Sequence, residues 1–181
     1  DTRDVTLKSL RQRVAVVTQD VQLFQATVRD NLTFFDHSVP DHRVEAALLE
    51  VGLGGWLDSL PDGVKTPLAA GSLSAGQSQL LAFARVMLQD PSVIILDEPS
   101  SRLDPATETQ LTQAMQRLLQ GRTAIVIAHR LETVARADRI LVLGAGKILE
   151  DGERAVLARD PRSHYAQLLS AGKEELEEVL A

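Results

Sequence analysis

The 181-residue chain contains no cysteine, which excludes a disulfide framework and any thiolate metal site. That absence suits a reducing compartment. No apolar run approaches the ~20 residues that a bilayer-spanning helix requires, so any work at a membrane goes through another chain or segment. An excess of positive charge is also missing: Lys and Arg total 19 against 25 Asp and Glu, for a formal net charge of −6. Nothing in that balance draws the protein to nucleic acid or to anionic lipid. The first residues, Asp1 to Arg13, are charged and polar and do not read as a signal peptide. What is present is ordinary for a globular protein, 44% apolar and 24% charged, with enough length for one domain and a real core.

The pattern along the chain is mixed at first. Val14–Val17 is a short β-branched run that reads as a buried strand. Asp20 to Asp36 scatters Leu23, Phe24, Val28, Leu32, Phe34 and Phe35 among polar residues and sets no period. Pro40-Asp41 opens a helix with Val44, Ala47, Leu48 and Val51 on one face, closed by Gly52. Gly54-Gly55, Pro61-Asp62-Gly63 and Pro67 mark a loop-rich connection. A second helix follows Gly76 and stops at Asp90-Pro91. From there strands and helices alternate: strand Val93–Leu96, helix Pro105–Leu119, strand Thr123–Ala128, short helix Leu131–Arg136 and strand Arg139–Leu143. A turn at Gly144-Ala145-Gly146 then leads to a strand Lys147–Glu150, and the tail reads as helices Pro161–Leu169 and Lys173–Leu180. Strands apolar throughout, alternating with helices, predict an α/β fold whose sheet is covered on both faces.

Four places carry chemistry. Val93-Ile94-Ile95-Leu96-Asp97-Glu98 ends an apolar strand in two carboxylates. In α/β sheets, ligands bind beyond the carboxyl ends of the strands. Asp97 there suits Mg²⁺, which takes a hard carboxylate and keeps several waters, and Glu98 can polarise an attacking water. Ser74-Ala75-Gly76-Gln77 starts a helix: Ser74 is a good cap, Gly76 permits close backbone approach, and the helix N-terminus favours an anion. Gln19 follows the first strand, where its amide can ligate a metal or hold a water. His129 follows the Thr123–Ala128 strand, where an imidazole can reach a terminal phosphate. Taken singly, each has a plain structural alternative. These are a solvated acidic turn, an ordinary Ser-capped helix, a surface glutamine and a partly buried histidine capping the next helix.

Taken in order, they resemble the ATP-binding domain of ABC transporters. Leu73-Ser74-Ala75-Gly76-Gln77 is similar to that family's signature sequence, and Val93–Pro99 to its Walker B strand with catalytic glutamate. Val17-Thr18-Gln19-Asp20 resembles the Q-loop, Ser101-Arg102-Leu103-Asp104 the D-loop, and His129 the switch histidine. The resemblance runs from about Asp1 to Leu169. Gln19 through Leu32 and Leu149 through Leu168 are similar to the exporter type, in which membrane spans and ATPase commonly share a polypeptide. Ala75 stands where the family often has glycine, and Arg102 where a small residue is frequent.

The resemblance implies a RecA-like P-loop NTPase core over 1–20 and 91–181 and an inserted helical subdomain, bearing the signature, over 21–90. It implies ATP and Mg²⁺ as ligands, with Asp97 and Gln19 at the metal, Glu98 as general base, and His129 on the γ-phosphate. Ser74, Ala75, Gly76 and Gln77 would bind ATP held by an opposite subunit, with Asp104 at that interface. The implied partners are a second nucleotide-binding domain and transmembrane domains; no nucleic acid is expected. The implied location is the cytoplasmic face of the cell membrane.

One element of that family is missing. A phosphate-cradling Gly-x-x-x-x-Gly-Lys-[Ser/Thr] loop should precede Gln19, yet only Lys147 and Lys173 follow a glycine, and neither precedes Ser or Thr. Asp1 is a poor natural start, so the expectation is the C-terminal portion of a longer polypeptide, inactive by itself. Two other readings stay open: a soluble ABC-type ATPase working on DNA or translation, and a regulatory module that only completes a partner's ATP site.

Overall fold

The computed structural model describes residues 1–18, 20–69, 71–97, 105–128 and 134–171. Gln19, Glu98, the Ser101–Asp104 segment, His129, the first half of the expected helix Leu131–Arg136 and all of Lys173–Leu180 lie outside the described residues. The chain forms two compact units, Asp1–Ile127 and Ala128–Ala181.

The first unit is built on a three-stranded sheet in the order β1 (Val14–Val17), β2 (Val93–Asp97), β3 (Thr123–Ile127). Both pairings are parallel, as apolar strands separated by helices require. The register sets Val17 beside Leu96 and Asp97 beside Ile127, so the three carboxyl ends open on the same side. Ala15, Val17, Ile94 and Leu96 point into the core, which they share with Leu32, Leu48, Leu80, Leu81 and Leu118.

Helices cover that face. They are α1 (Leu7–Arg13), α2 (Val28–Thr33), α3 (Asp41–Glu50), α4 (Gly54–Asp58), α5 (Ala75–Gln89) and α6 (Pro105–Leu119). α5 is the central one and packs on α2, α3, α6 and β1. Its apolar residues Leu80, Leu81, Phe83, Ala84 and Val86 are buried around most of its circumference, which is the pattern of an enclosed helix. Asp90, in the left-handed region at φ 48°, ends it. Two side chains of α6 tie down the end of α3. Gln110 Nε2 donates to the Gly52 carbonyl at 2.6 Å, and Arg117 Nη1 donates to the Glu50 carbonyl at 2.7 Å. Carbonyls at a helix end lack intrahelical donors, so these bonds replace water.

Several expectations change. The sheet is not covered on both faces among the described residues: Val16, Ile125 and Ile127 are 57%, 55% and 49% exposed. They share a face because the side-chain period of a strand is two. The charged start, to which the sequence assigned no element, forms α1, capped where the Ser9 N–H donates to Thr6 Oγ1 at 3.2 Å. The unpatterned stretch before Asp36 holds α2, capped by Thr27. The loop-rich connection contains α4 and a 3-10 turn at Gly63–Lys65.

In the second unit, β4 (Arg139–Gly144) and β5 (Lys147–Glu153) form an antiparallel hairpin. Ala145 and Gly146 make the turn, both at positive φ, 48° and 72°, as a two-residue hairpin demands. β5 therefore extends past Glu150, where its strand was expected to stop. A short helix α7 (Arg154–Leu157) follows. The tail helix occupies 164–171 and begins later than Pro161. Its start is fixed by Glu150, whose carboxylate accepts the His164 and Tyr165 N–H groups at 3.1 and 3.0 Å, a charge-matched cap for a helix N-terminus.

Across the hairpin, Arg139 Nε and Nη2 donate to the Asp151 carboxylate at 2.7 and 3.0 Å, a diagonal pair given the register of Arg139 with Glu153. Those hydrogen bonds hold the Asp151 carboxyl below its ordinary value. A lowered folded-state pKa contributes stability that is complete above about pH 4 and is lost as pH falls through the lowered value. Arg139→Ala should move the Asp151 titration up toward the usual carboxylate range. An NMR titration of the carboxyl carbon reads this directly, and an unmoved midpoint would break the assignment.

Candidate functional site

Of the residues singled out from the sequence, the structure describes Ser74, Ala75, Gly76, Gln77 and Asp97, at two elements. The first is the start of α5. Ser74 is the N-cap, and the capping is reciprocal: the Gln77 N–H donates to Ser74 Oγ at 3.2 Å, and the Ser74 N–H donates to Gln77 Oε1 at 2.9 Å. The Ser-x-x-Gln spacing is the sequence form of this box. Ser78 Oγ adds a bond to the Ser74 carbonyl at 3.0 Å. The cap is exposed while Gly76 is buried. The N–H groups of Ala75 and Gly76 fall in the first turn, where no intrahelical carbonyl is available. This end therefore offers backbone donors, a hydroxyl and the positive end of a fifteen-residue helix to an anion.

The second place is the carboxyl edge of the sheet. Asp97 closes β2 and is half-buried, and its carboxylate makes no hydrogen bond or ion pair with the described residues. Gln19, Glu98 and His129 follow the ends of β1, β2 and β3 by one or two residues. No hydrogen bond among the described residues joins Ser74, Gly76 or Gln77 to Asp97. The structure thus joins Ser74, Gln77 and Ser78 to one another at the start of α5.

For a divalent cation, the described residues supply one carboxylate and hold no cluster of His, Cys, Asp and Glu suited to a metal. That donor set fits Mg²⁺, which binds through one or two carboxylates with waters and phosphate oxygens completing its shell.

Sequence reading missed a third feature, a polar network that fastens the segment after Gln19 to α5. Asn31 is fully buried. Its Oδ1 accepts the Phe24 N–H at 2.8 Å, and its Nδ2 donates to the Phe24 and Thr27 carbonyls, each at 3.0 Å. Arg85 on α5 donates from Nε to the Asn31 carbonyl at 2.8 Å and from Nη1 to the Gln22 carbonyl at 3.0 Å. Burial pushes the Arg85 pKa below its usual value, but carbonyl dipoles surround the guanidinium in place of water. Its carbon also sits 5.0 Å from the Phe34 ring centroid, within cation–π range. Phe24 meets Phe34 and Phe35 edge-on, with centroids 6.2 and 5.5 Å apart, and all three remain largely exposed. Phe34 and Phe35 lie at φ 50° and 64°, a left-handed conformation that bulky residues rarely take. An open groove of about 380 Å³ runs between β1 and α5, lined by Val17, Thr18, Asp20, Gln22, Phe24 and Arg85 among others. The signal in sequence was a lone Arg among apolar residues of a buried helix.

A three-stranded parallel sheet with a carboxylate at its carboxyl edge, joined through helices, is an α/β arrangement. The model of the ABC transporter family matches residues 1–101, and the chain belongs to that family. Among similar proteins, the ATP-dependent lipid A-core flippase of Bordetella pertussis (strain Tohama I) is 46% identical over 158 residues, 86% of this chain and 25% of that protein. An uncharacterised ABC transporter ATP-binding protein of Bacillus subtilis (strain 168) is 43% identical over 152 residues, 83% of this chain and 25% of that protein. ABC transporter B family member 19 of Arabidopsis thaliana is 39% identical over 171 residues, 93% of this chain and 14% of that protein. The chain thus spans about a quarter or less of the length of these relatives.

Proposed function

We propose that this chain is the ATP-hydrolysing portion of an ABC exporter, in which ATP sits between two such domains and its hydrolysis drives transport through membrane spans. The observation that carries this reading is the reciprocal cap at the start of α5. It holds a hydroxyl and free backbone donors ready for a phosphate. In this reading Ser74, Ala75, Gly76 and Gln77 bind the γ-phosphate of ATP held by the opposite subunit, and Asp104 lies at the interface between the two.

At the strand edge, Asp97 and Gln19 are the residues that would hold Mg²⁺. Bound Mg²⁺ supplies charge neutralisation across the phosphates. Glu98 takes the proton of the attacking water, and His129 donates to the γ-phosphate. Catalysis of this kind is mostly positioning and charge stabilisation around the transferred phosphoryl group. The core over 1–20 and 91–181, with a helical subdomain over 21–90, belongs to the same proposal.

The partners are a second nucleotide-binding domain and the transmembrane domains, at the cytoplasmic face of the cell membrane. The exposed Phe24, Phe34 and Phe35 beside the groove support a protein contact there, since clustered exposed aromatics mark interaction surfaces. Thr18 and Asp20, which flank Gln19 in sequence, line the groove, so a partner seated in it would touch the chain on either side of that residue.

A second reading has its own support. The signature cap is complete in this chain, which a module that completes a partner's ATP site in trans would need. One pair of assays separates the two. A polypeptide that joins this chain to a phosphate loop should release phosphate from ATP, whereas the isolated 181 residues should show no turnover above background. Turnover by the isolated chain that disappears with Glu98→Gln would overturn that expectation. No turnover by the joined polypeptide would favour the trans-acting module.

A further inference from the structure

The sequence holds two Asp-Gly steps, Asp62-Gly63 and Asp151-Gly152, and no Asn-Gly step. An Asp-Gly step has a chemistry of its own. The glycine amide nitrogen attacks the aspartate Cγ and expels water, which closes a succinimide ring. Water then opens that ring at either carbonyl. One opening restores aspartate. The other leaves the main chain running through the side-chain carbon, which is an isoaspartate. The water released at closure is matched by the water taken up at opening, so no other reactant is needed. Glycine favours the attack because it has no Cβ in the way and its backbone turns freely.

The fold treats the two steps differently. Asp62 is exposed, and its carboxylate accepts no hydrogen bond and joins no ion pair among the described residues. Gly63, at φ 52°, has no atom within 4 Å of the place a Cβ would take. Its N–H reaches only the Leu60 carbonyl, at 3.4 Å, beyond the usual range for such a bond. The residues Gly63–Lys65 form a single 3-10 turn, whose hydrogen bonds are poorly aligned. Little therefore resists rotation of the Asp62-Gly63 peptide toward the carboxyl. Asp151 is the reverse case. Arg139 holds both of its carboxylate oxygens, at 2.7 and 3.0 Å. Gly152 is in register with Ile140 across the hairpin, and the Leu157 side chain lies 3.2 Å from its Cβ position.

We propose that Asp62-Gly63 is a site of spontaneous isoaspartate formation in the folded protein, while the fold shields Asp151-Gly152. The added main-chain carbon falls just before Val64, which is 4% exposed and lies in the turn that packs on α2, α3 and α4. The same stretch is tied to the start of α2, where the Val28 N–H donates to the Thr66 carbonyl at 3.0 Å. Lengthening the chain there loosens that anchor. The product presents a free α-carboxylate on an exposed turn, the group that isoaspartyl carboxyl methyltransferases esterify, so the aged protein is a substrate for repair enzymes of that class. The chemistry is independent of the ATPase reading above.

The test ages the full-length polypeptide in neutral buffer at physiological temperature, folded in one arm and unfolded in urea in the other. Methyl transfer from S-adenosylmethionine by an isoaspartyl carboxyl methyltransferase reads the product, and peptide mapping places it. In the folded arm, isoaspartate at Asp62 should exceed that at Asp151 by about tenfold or more, the factor for freeing one charge-assisted hydrogen bond. In the unfolded arm the two positions should react alike. Asp62→Glu, which needs a larger and slower ring closure, should abolish the signal at that position. Asp62→Asn, from which ammonia leaves in place of water, should raise it. Both variants change an exposed side chain without partners, so their thermal midpoints should match wild type before ageing. Absence of isoaspartate at Asp62 in the folded arm, or equal amounts at Asp62 and Asp151 there, would overturn the proposal. The aged wild type should melt below the fresh protein, and an unchanged midpoint despite isoaspartate at Asp62 would overturn the loosened anchor.

Discussion

Glu98→Gln, in a polypeptide that supplies the phosphate loop, should cut ATP turnover about a thousandfold, the usual range for losing a general base, while ATP binding is kept. Glutamine preserves the size and hydrogen-bonding reach of the side chain but cannot accept a proton at neutral pH. Asp97, its neighbour at the end of β2, remains for the metal, so the variant should still load Mg²⁺-ATP. With loading intact and cleavage blocked, domains paired around ATP should accumulate. Phosphate release under saturating ATP gives the first quantity, and size-exclusion chromatography with ATP gives the second. Turnover within tenfold of wild type would remove Glu98 from the role and return Asp97-Glu98 to a solvated acidic turn. Loss of binding together with turnover would indicate structural damage instead.

Asn31→Ala should have the largest effect on stability, about 3 kcal/mol, or roughly 6–12 °C in thermal midpoint for a chain of this size. The estimate follows from what is left behind. The Phe24 N–H and the Phe24 and Thr27 carbonyls all bond the Asn31 amide, and alanine satisfies none of them in a site with no exposure. Arg85→Ala attacks the same network from α5, so the double variant should cost clearly less than the sum of the single ones. Differential scanning calorimetry of the three proteins decides it. A cost for Asn31→Ala below about 1 kcal/mol would show that water replaces the amide.

Much of the frame could be read from the residues. Val14–Val17 and Val93–Leu96 are apolar, β-branched and bounded by polar residues, and both are strands of a parallel sheet. Ser74 marked the start of α5 because a hydroxyl before an apolar helix has a local job that sequence spells out. Helix α2 was not legible for the opposite reason. It has six residues, too few to set a period, and Arg85 holds it from 54 residues away. The exposed row Val16, Ile125 and Ile127 was read as buried because apolarity reports what a strand can bury, while covering it depends on other segments. Asp97 could be placed at a strand end from sequence. The packing of α5 on α2, α3 and α6 could not, because it depends on residues far apart in the chain.

The reciprocal bonds between Ser74 and Gln77 also have a kinetic meaning. Any anion that reaches the start of α5 meets side chains already frozen in one arrangement, with no rotamers left to order. Preorganisation of that kind removes an entropic barrier from encounter. If ATP is held there by an opposite domain, as proposed, the pace of assembly is set by how quickly two large bodies approach and align, and hardly at all by local adjustment of the helix end.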